Sequence, residues 1–302
     1  MNGEQALQAG LVVSGHGRHY LIETPTGERH RVHPRGKKSE CVVGDRVRWR
    51  ATGDGEGVIE QVETRTNLLM RRDEWRTKSF AANVERLLVL VAGEPMFSES
   101  QVARALIGAH SAGIEACIGL NKTDLPQSEP ARQRLAPYRA MGIDVFEMAL
   151  KADPQAARAL LQPRLQGRIT LLLGPSGAGK STLINLVVPH AGAQVGEISR
   201  ALNTGRHTTT NTQWYWLEDD HRSALIDTPG FQEFGLHHID AQALATLMPD
   251  LRAHLVHCRF YNCTHRSEPG CGVAAAVERG DVAASRWRIY RELFDEISAS
   301  RR

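Results

Sequence analysis

The chain has 302 residues, 41% of them hydrophobic and 24% charged, with a formal net charge of +3. That profile is globular; it excludes collagen-like, coiled-coil and disordered chains, and the length sets two or three domains. The longest apolar runs, Leu87–Ala92 and Ile169–Leu173, are far short of the ~20 residues of a membrane span, and Met1–Gly10 carries no secretory pattern, so neither a membrane partner nor export is expected.

Residues 1–72 read as short strands broken by Gly/Asp turns: Leu11–Val13, Tyr20–Ile22, Arg31-Val32, Arg46–Trp49 and Val58–Val62. This spacing predicts a small all-β barrel, of which the five-stranded oligonucleotide-binding (OB) type is the smallest common version. Residues 29–50 hold eight basic side chains against Glu40 and Asp45, a local charge of +6. They form either a solvated face or a nucleic-acid surface, with Arg35, Lys37, Lys38, Arg46 and Arg48 as candidate contacts. Tyr20 and Trp49 suit either base stacking or the core.

From 73 to 236 apolar strands alternate with helical stretches. Strands are expected at Glu85–Val91, Ile114–Leu120, Ile143–Met148, Arg168–Leu173, Trp214–Leu217 and Ser223–Ile226. Helices are expected at Ser98–Ala112, Ser128–Met141, Pro154–Leu165 and Lys180–Val188. Such alternation predicts an α/β fold with a mostly parallel sheet covered on both faces.

Three motifs fall at the ends of these strands. Gly174-Pro175-Ser176-Gly177-Ala178-Gly179-Lys180-Ser181, continued by Thr182, fits G-x4-G-K-[ST] between a strand and a helix. Its backbone amides can wrap phosphate oxygens, Lys180 can reach the β- and γ-phosphates, and Ser181 can ligate Mg²⁺. Asp227-Thr228-Pro229-Gly230 follows another strand, where Asp227 can hold Mg²⁺ and the Gly230 amide can meet the γ-phosphate. Asn121-Lys122-Thr123-Asp124 follows a third. The Asp124 carboxylate can accept two N–H bonds from a guanine edge, Asn121 can serve the other polar edge of the purine, and the Lys122 stem can cover the ring. Together they predict GTP with Mg²⁺. Asn121 precedes Gly174 by 53 residues, the reverse of the usual GTPase order, so the domain reads as a circularly permuted P-loop GTPase.

Between the phosphate loop and Asp227, Gly205–Thr210 sits where a threonine senses Mg²⁺ and the γ-phosphate; Thr208 and Thr209 both qualify. Phe231 follows the D-x-x-G glycine, a position where many GTPases carry a water-orienting Gln. Phenylalanine cannot do this, and His207 is the nearest polar candidate in sequence to take over.

Residues 237–302 read as helical and cysteine-bearing. Cys258, Cys263, His265 and Cys271 fit C-x4-C-x-H-x5-C, a four-ligand set for one structural Zn²⁺. His257 is a rival ligand, and Cys41 and Cys117 read as barrel or core residues. A final amphipathic helix is expected to open on Asp281 as N-cap. With zinc favoured over disulfides, the compartment is cytoplasmic, and nothing in the pattern requires more than a monomer.

Permuted GTPase motifs between a barrel and a metal knuckle resemble the small-ribosomal-subunit biogenesis GTPase RsgA (YjeQ) family. So do Arg35-Gly36-Lys37, Val43-Gly44-Asp45-Arg46-Val47, Ala82-Asn83-Val84 and Gly205-Arg206-His207-Thr208-Thr209-Thr210. The resemblance implies GTP hydrolysis stimulated by the small ribosomal subunit during its late maturation, contact with rRNA rather than DNA, and Thr209 as the switch ligand of Mg²⁺. Glu85 departs from the Asp often found in the family, and Phe146–Lys151 lacks a clear Ser-Ala guanine-contact motif. Two rival readings remain: a nucleic-acid-binding module whose GTP site only switches affinity, and an ATP-driven remodeller, which Asp124 argues against.

Overall fold

The computed structural model describes residues 6–16, 19–36, 41–53, 55–72, 77–188, 212–218, 221–228 and 234–299. Strands β1 (Gln8–His16), β2 (His19–Glu23), β3 (Arg29–Pro34), β4 (Arg46–Gly53) and β5 (Glu56–Val62) lie in the order β1-β2-β3-β5-β4, and a second pairing of β1 with β4 closes them into a barrel. Alternation builds it: Val47 and Trp49 of β4 point inward, Arg46 and Arg48 outward. Trp49 is fully buried beside Val12, Ile22 and Val47, and its indole N–H donates to the Ala9 carbonyl at 3.3 Å. It is a core residue and cannot stack on a base, whereas Tyr20 is half-buried.

The second body is the predicted α/β sheet. Strands β8 (Arg86–Ala92), β9 (Glu115–Asn121), β10 (Asp144–Glu147), β11 (Ile169–Leu173) and β13 (Ala224–Asp227) run parallel in the order β10-β9-β8-β11-β13. The last strand, β12 (Gln213–Trp216), is antiparallel to β13. Every residue of β8 is buried, as a strand covered on two faces requires. Leu87, Val89 and Val91 pack with α1 (Glu99–Ser111) and α2 (Ser128–Ala140). Leu88 and Leu90 share the other core with α3 (Pro154–Leu165) and α4 (Lys180–Val187). Ser98 caps α1 and Asp153 caps α3 by accepting amide N–H bonds.

Two features join the bodies. A register shift between Val12 and Ser14 bends β1, and Ser14 then pairs with Gln213 of β12, making one continuous 11-stranded sheet. A separate hairpin, β6 (Leu68–Arg72) with β7 (Thr77–Ala82), was not among the expected strands. Just beyond it Asn83, at φ +56°, accepts from the Thr66 N–H and donates to the Gly44 carbonyl, both at 2.8 Å. Gly44 has no alternative: a Cβ there would lie 2.2 Å from the Ala82 carbonyl oxygen. Asp45 is wholly buried, where it accepts a bidentate bond from Arg65 at 2.7 and 2.8 Å. The Glu85 carboxylate accepts from the Ile169 N–H at 2.8 Å, so a carboxylate there ties the start of β8 to β11.

The C-terminal part holds a 3-10 helix (Ala241–Leu247), shorter turns, and the helices Gly272–Arg279 and Ala284–Ala299. Asp281 does not cap the last helix. Gly280, at φ +82°, ends the preceding helix; the Asp281 carboxylate accepts from Arg279 at 2.9 Å, and the next helix begins at Ala284. Ile289, Leu293 and Ile297 bury its apolar stripe, and Glu296 accepts a bidentate bond from Arg104 of α1. No helix among the described residues is long and apolar enough to cross a membrane.

Candidate functional site: a phosphate loop, a base-reading turn and a metal knuckle

The loop 174–181 connects β11 to α4, and each of its glycines has a separate physical reason. A Cβ on Gly174 would sit 2.2 Å from the Leu90 carbonyl oxygen, and one on Gly179 would sit 2.3 Å from Asn121 Nδ2. Gly177 and Gly179 adopt φ of +81° and +107°. Gly179 caps α4, so the N–H groups of Lys180, Ser181 and Thr182 have no intrahelical acceptor and form a positive end. Pro175 is half-buried, Ser176 exposed and Ala178 buried. Lys180 Nζ donates to the Gly174 and Pro175 carbonyls at 2.7 and 3.2 Å.

One strand away, Asp227 ends β13 in register with Leu172 of β11. Burial pushes its carboxyl up from the ordinary value, against the pull of Lys180 and the Thr228 N–H. Burial likewise pulls the Lys180 ammonium down, with Asp227 opposing. Oδ1 of Asp227 is buried with no hydrogen-bond partner among the described residues. Such an oxygen next to a desolvated ammonium and a phosphate-type loop fits a divalent cation.

The turn 121–124 ends β9. Asn121 is 4% exposed, and both of its polar atoms are engaged inside the protein. Nδ2 donates to the Ala178 carbonyl at 2.8 Å and Oδ1 accepts from the Leu150 N–H at 3.1 Å. Asn121 thus braces two loops, and these bonds use one of its two amide N–H groups and one lone pair of Oδ1, which leaves the expected contact with a purine edge compatible with the brace. Lys122, at φ +62°, donates Nζ to the Glu94 carbonyl at 2.7 Å, and the Thr123 N–H donates to the Met148 carbonyl at 3.3 Å. Asp124 is exposed. The bond from Leu150 brings the segment after β10 against this turn. A main-chain N–H has no side-chain signature, so this contact is not legible in the sequence. His207, Thr208, Thr209, Gly230 and Phe231 lie outside the described residues.

The four expected metal ligands converge. One ligand atom each from Cys258, Cys263, His265 and Cys271 all lie within 4.8 Å of one another. Backbone N–H groups of Gly272 and Ala274 donate to the sulfurs of Cys258 and Cys271 at 3.3 and 3.4 Å, an arrangement that stabilises thiolates. Trp287 donates to the His265 carbonyl at 3.1 Å and Tyr290 to the Thr264 carbonyl at 2.9 Å, so the last helix holds the knuckle. Three thiols and an imidazole at this separation fit a tetrahedral zinc ion. His257 is exposed and outside the cluster, while Cys41 and Cys117 are buried. Burial pushes the Cys117 thiol up to about 12.

The basic stretch of the barrel is less charged than its sequence. Arg35 pairs with Glu60 of β5 at 2.7 Å and Arg48 with Glu63, the residue after β5, at 2.8 Å. Arg46 is exposed and makes no ion pair with a described residue. Lys37 and Lys38 lie outside the described residues.

A family model described as RsgA GTPase matches residues 62–237. A protein of Variovorax paradoxus named small ribosomal subunit biogenesis GTPase RsgA is 58% identical over 300 residues, covering 98% of this chain and 94% of the relative. A Bordetella pertussis protein of the same name is 50% identical over 302 residues, covering 100% and 99%. The crystal structure of YjeQ from Thermotoga maritima aligns with a TM-score of 0.72 and 29% identity, covering 97% of this chain and 99% of the other. That of YloQ, a circularly permuted GTPase, aligns with a TM-score of 0.69 at 24% identity, covering 99% and 98%, a likeness of fold.

Proposed function

The chain belongs to the RsgA GTPase family and is a GTP hydrolase, and from that premise we propose that it binds the small ribosomal subunit in the cytoplasm and hydrolyses GTP in a late step of the subunit's maturation. The names of its relatives support the partner. The observation that carries the chemistry is the unpartnered Asp227 Oδ1 beside Lys180, since a buried carboxylate oxygen without a donor is rare unless a ligand completes it.

In this reading the chain works as three parts: a barrel over 1–72, a GTPase domain over 73–236 and a zinc domain over 237–302. The amides of 174–182 cradle the phosphates. Lys180 leaves the carbonyls of Gly174 and Pro175 for the β- and γ-oxygens, where its charge matters most as negative charge builds on the leaving phosphate. Asp124 accepts the guanine edge, with Lys122 and Thr123 shaping the turn. Ser181, Asp227 and Thr209 would hold Mg²⁺, which when bound neutralises phosphate charge; the Gly230 amide meets the γ-phosphate. Because Phe231 cannot orient water, His207 does so, and turnover is slow until the subunit completes the site. One structural Zn²⁺ on Cys258, Cys263, His265 and Cys271 shapes the C-terminal domain. Monomeric protein contacts rRNA through this domain and through Arg35, Lys37, Lys38, Arg46 and Arg48.

A GTPase assay titrated with purified small subunits at several salt concentrations tests the reading. Turnover should rise with subunits, and the stimulation should weaken as salt screens phosphate contacts. Absence of stimulation favours a binding module that GTP merely switches, the alternative that Phe231 keeps open. His207→Ala with undiminished stimulated turnover removes His207 from the mechanism.

A further inference from the structure

A cavity of about 550 Å³ lies between the barrel and the α/β sheet, within the usual size range of small-ligand sites. It is remote from the phosphate loop. Gln213 of β12 pairs with Asp227, whereas Trp216, which lines the cavity, pairs with Ala224 at the other end of β13.

Its wall is aromatic. Trp214 and Trp216 meet edge to face at 5.0 Å, and His221 lies flat on Trp216, 4.5 Å away with 4° between the planes. The Trp216 face therefore already accepts a planar heteroaromatic ring. Two polar groups of the lining, one from each body, lack partners among the described residues. The indole N–H of Trp214 is buried with no acceptor among the described residues. Arg46 also lines the cavity and forms no ion pair with a described residue, although Arg29, Arg35, Arg48 and Arg50 of the same barrel are all paired.

A flat aromatic face, an unmatched N–H donor and an unmatched guanidinium make a complementary set for a nucleobase and its phosphate. We propose that this junction cavity is a second binding site that takes one nucleotide unit. The base stacks against the Trp216–His221 pair, a ring acceptor receives the Trp214 N–H, and the phosphate lies against Arg46. A free mononucleotide and an unpaired nucleotide of an RNA strand share this chemistry. Because the cavity has walls from both bodies, its occupant would bridge barrel and GTPase sheet.

The test uses the full chain saturated with GDP, so that the phosphate loop is filled. Isothermal titration with AMP probes a free nucleotide, and titration with a hexa-adenylate probes a strand. Two variants accompany it: Arg46→Ala, and Ala9→Leu, which adds side-chain volume at a lining position on β1 and so tells binding in the cavity from binding elsewhere on the barrel. The expected result is saturable binding at one site, weakened at least tenfold by both variants, with GDP affinity unchanged in Ala9→Leu and its melting temperature confirming the fold. Binding of AMP points to a free nucleotide, and binding of the hexa-adenylate alone to a strand; either supports the site. Lack of saturable binding by both probes, or equal binding by wild type and Ala9→Leu, overturns it. Subunit-stimulated GTP turnover is read separately, so failure here leaves the proposed function standing and the reverse also holds.

Discussion

The side-chain amide of Asn121 donates to the Ala178 carbonyl at 2.8 Å, which fastens the turn that ends β9 to the loop that ends β11. Asn121→Ala would leave that carbonyl and the Leu150 N–H unmatched in a buried setting, at about 1–3 kcal/mol for each group. Urea denaturation should show the loss of stability, and affinity for GDP and GTP should fall together because the loops lose their mutual position. Unchanged affinity for both nucleotides would contradict the bracing role.

Asp124 is exposed on the same turn, at the position proposed to accept the guanine edge. Asp124→Asn keeps the shape but replaces one acceptor oxygen by a donor, so the guanine edge is no longer matched. Competition binding should show discrimination between GTP and ATP falling by about tenfold or more, as expected when a hydrogen bond read-out is lost. Stability should barely move.

Asp227 and Glu296 should respond to pH in opposite senses. Burial raises the Asp227 carboxyl, so the folded state holds that proton more tightly than the unfolded chain. Stability then declines as pH rises through the window between the ordinary and the raised value. Asp227→Asn should raise the melting temperature of the nucleotide-free protein and abolish the extra stability given by Mg²⁺ with GTP. The hydrogen bond from Arg104 lowers the Glu296 carboxyl. Its stabilisation is present above the ordinary carboxyl value and disappears as pH falls through the lowered one. Glu296→Gln should flatten that acid limb by about 1 kcal/mol or less, because the pair is only half-buried.

Removal of metal gives a fourth outcome. Elemental analysis should find one zinc per chain, and a strong chelator should lower the melting temperature of the 237–302 part before the rest. Cys271 caps the helix Gly272–Arg279 through the Ala274 N–H, so losing the ion loosens a helix start as well as a knuckle. Full resistance to chelation would count against a structural site.

Local chemistry made much of this molecule readable in advance. Glycines at 174, 177 and 179 mark a loop by their spacing before Lys180 and Ser181, with Gly177 and Gly179 at positive φ, although the Leu90 carbonyl that requires Gly174 lies far along the chain. Cys258 to Cys271 mark a knuckle because short spacing forces convergence. Ser98 and Asp153 mark helix starts for the same reason. What stayed hidden depends on partners far along the chain. The +6 of residues 29–50 is offset in part by Glu60 of β5 and Glu63 just beyond it, which pair with Arg35 and Arg48. The bonds that tie Asn121 to Ala178 and Leu150 reach 57 and 29 positions along the chain. Asp281 has the residue type of a cap, but it follows the left-handed Gly280 that ends one helix and lies three residues before the next begins at Ala284. The β6–β7 hairpin is not legible in the sequence because its strands are fixed by burial of Leu69 and Phe80 against other elements, not by alternation of their own.

One row of paired residues runs across the molecule from Ser14 through Gln213, Asp227, Leu172, Leu88 and Cys117 to Asp144. Asp227 sits in that row only two strands from the barrel. From Asp144 to Gln213 each strand is held to the next by at least four pairs, whereas a single pair, Ser14 with Gln213, carries the row into the barrel. A main-chain shift at Asp227 would therefore reach the barrel through one joint, as a change of its angle to the sheet.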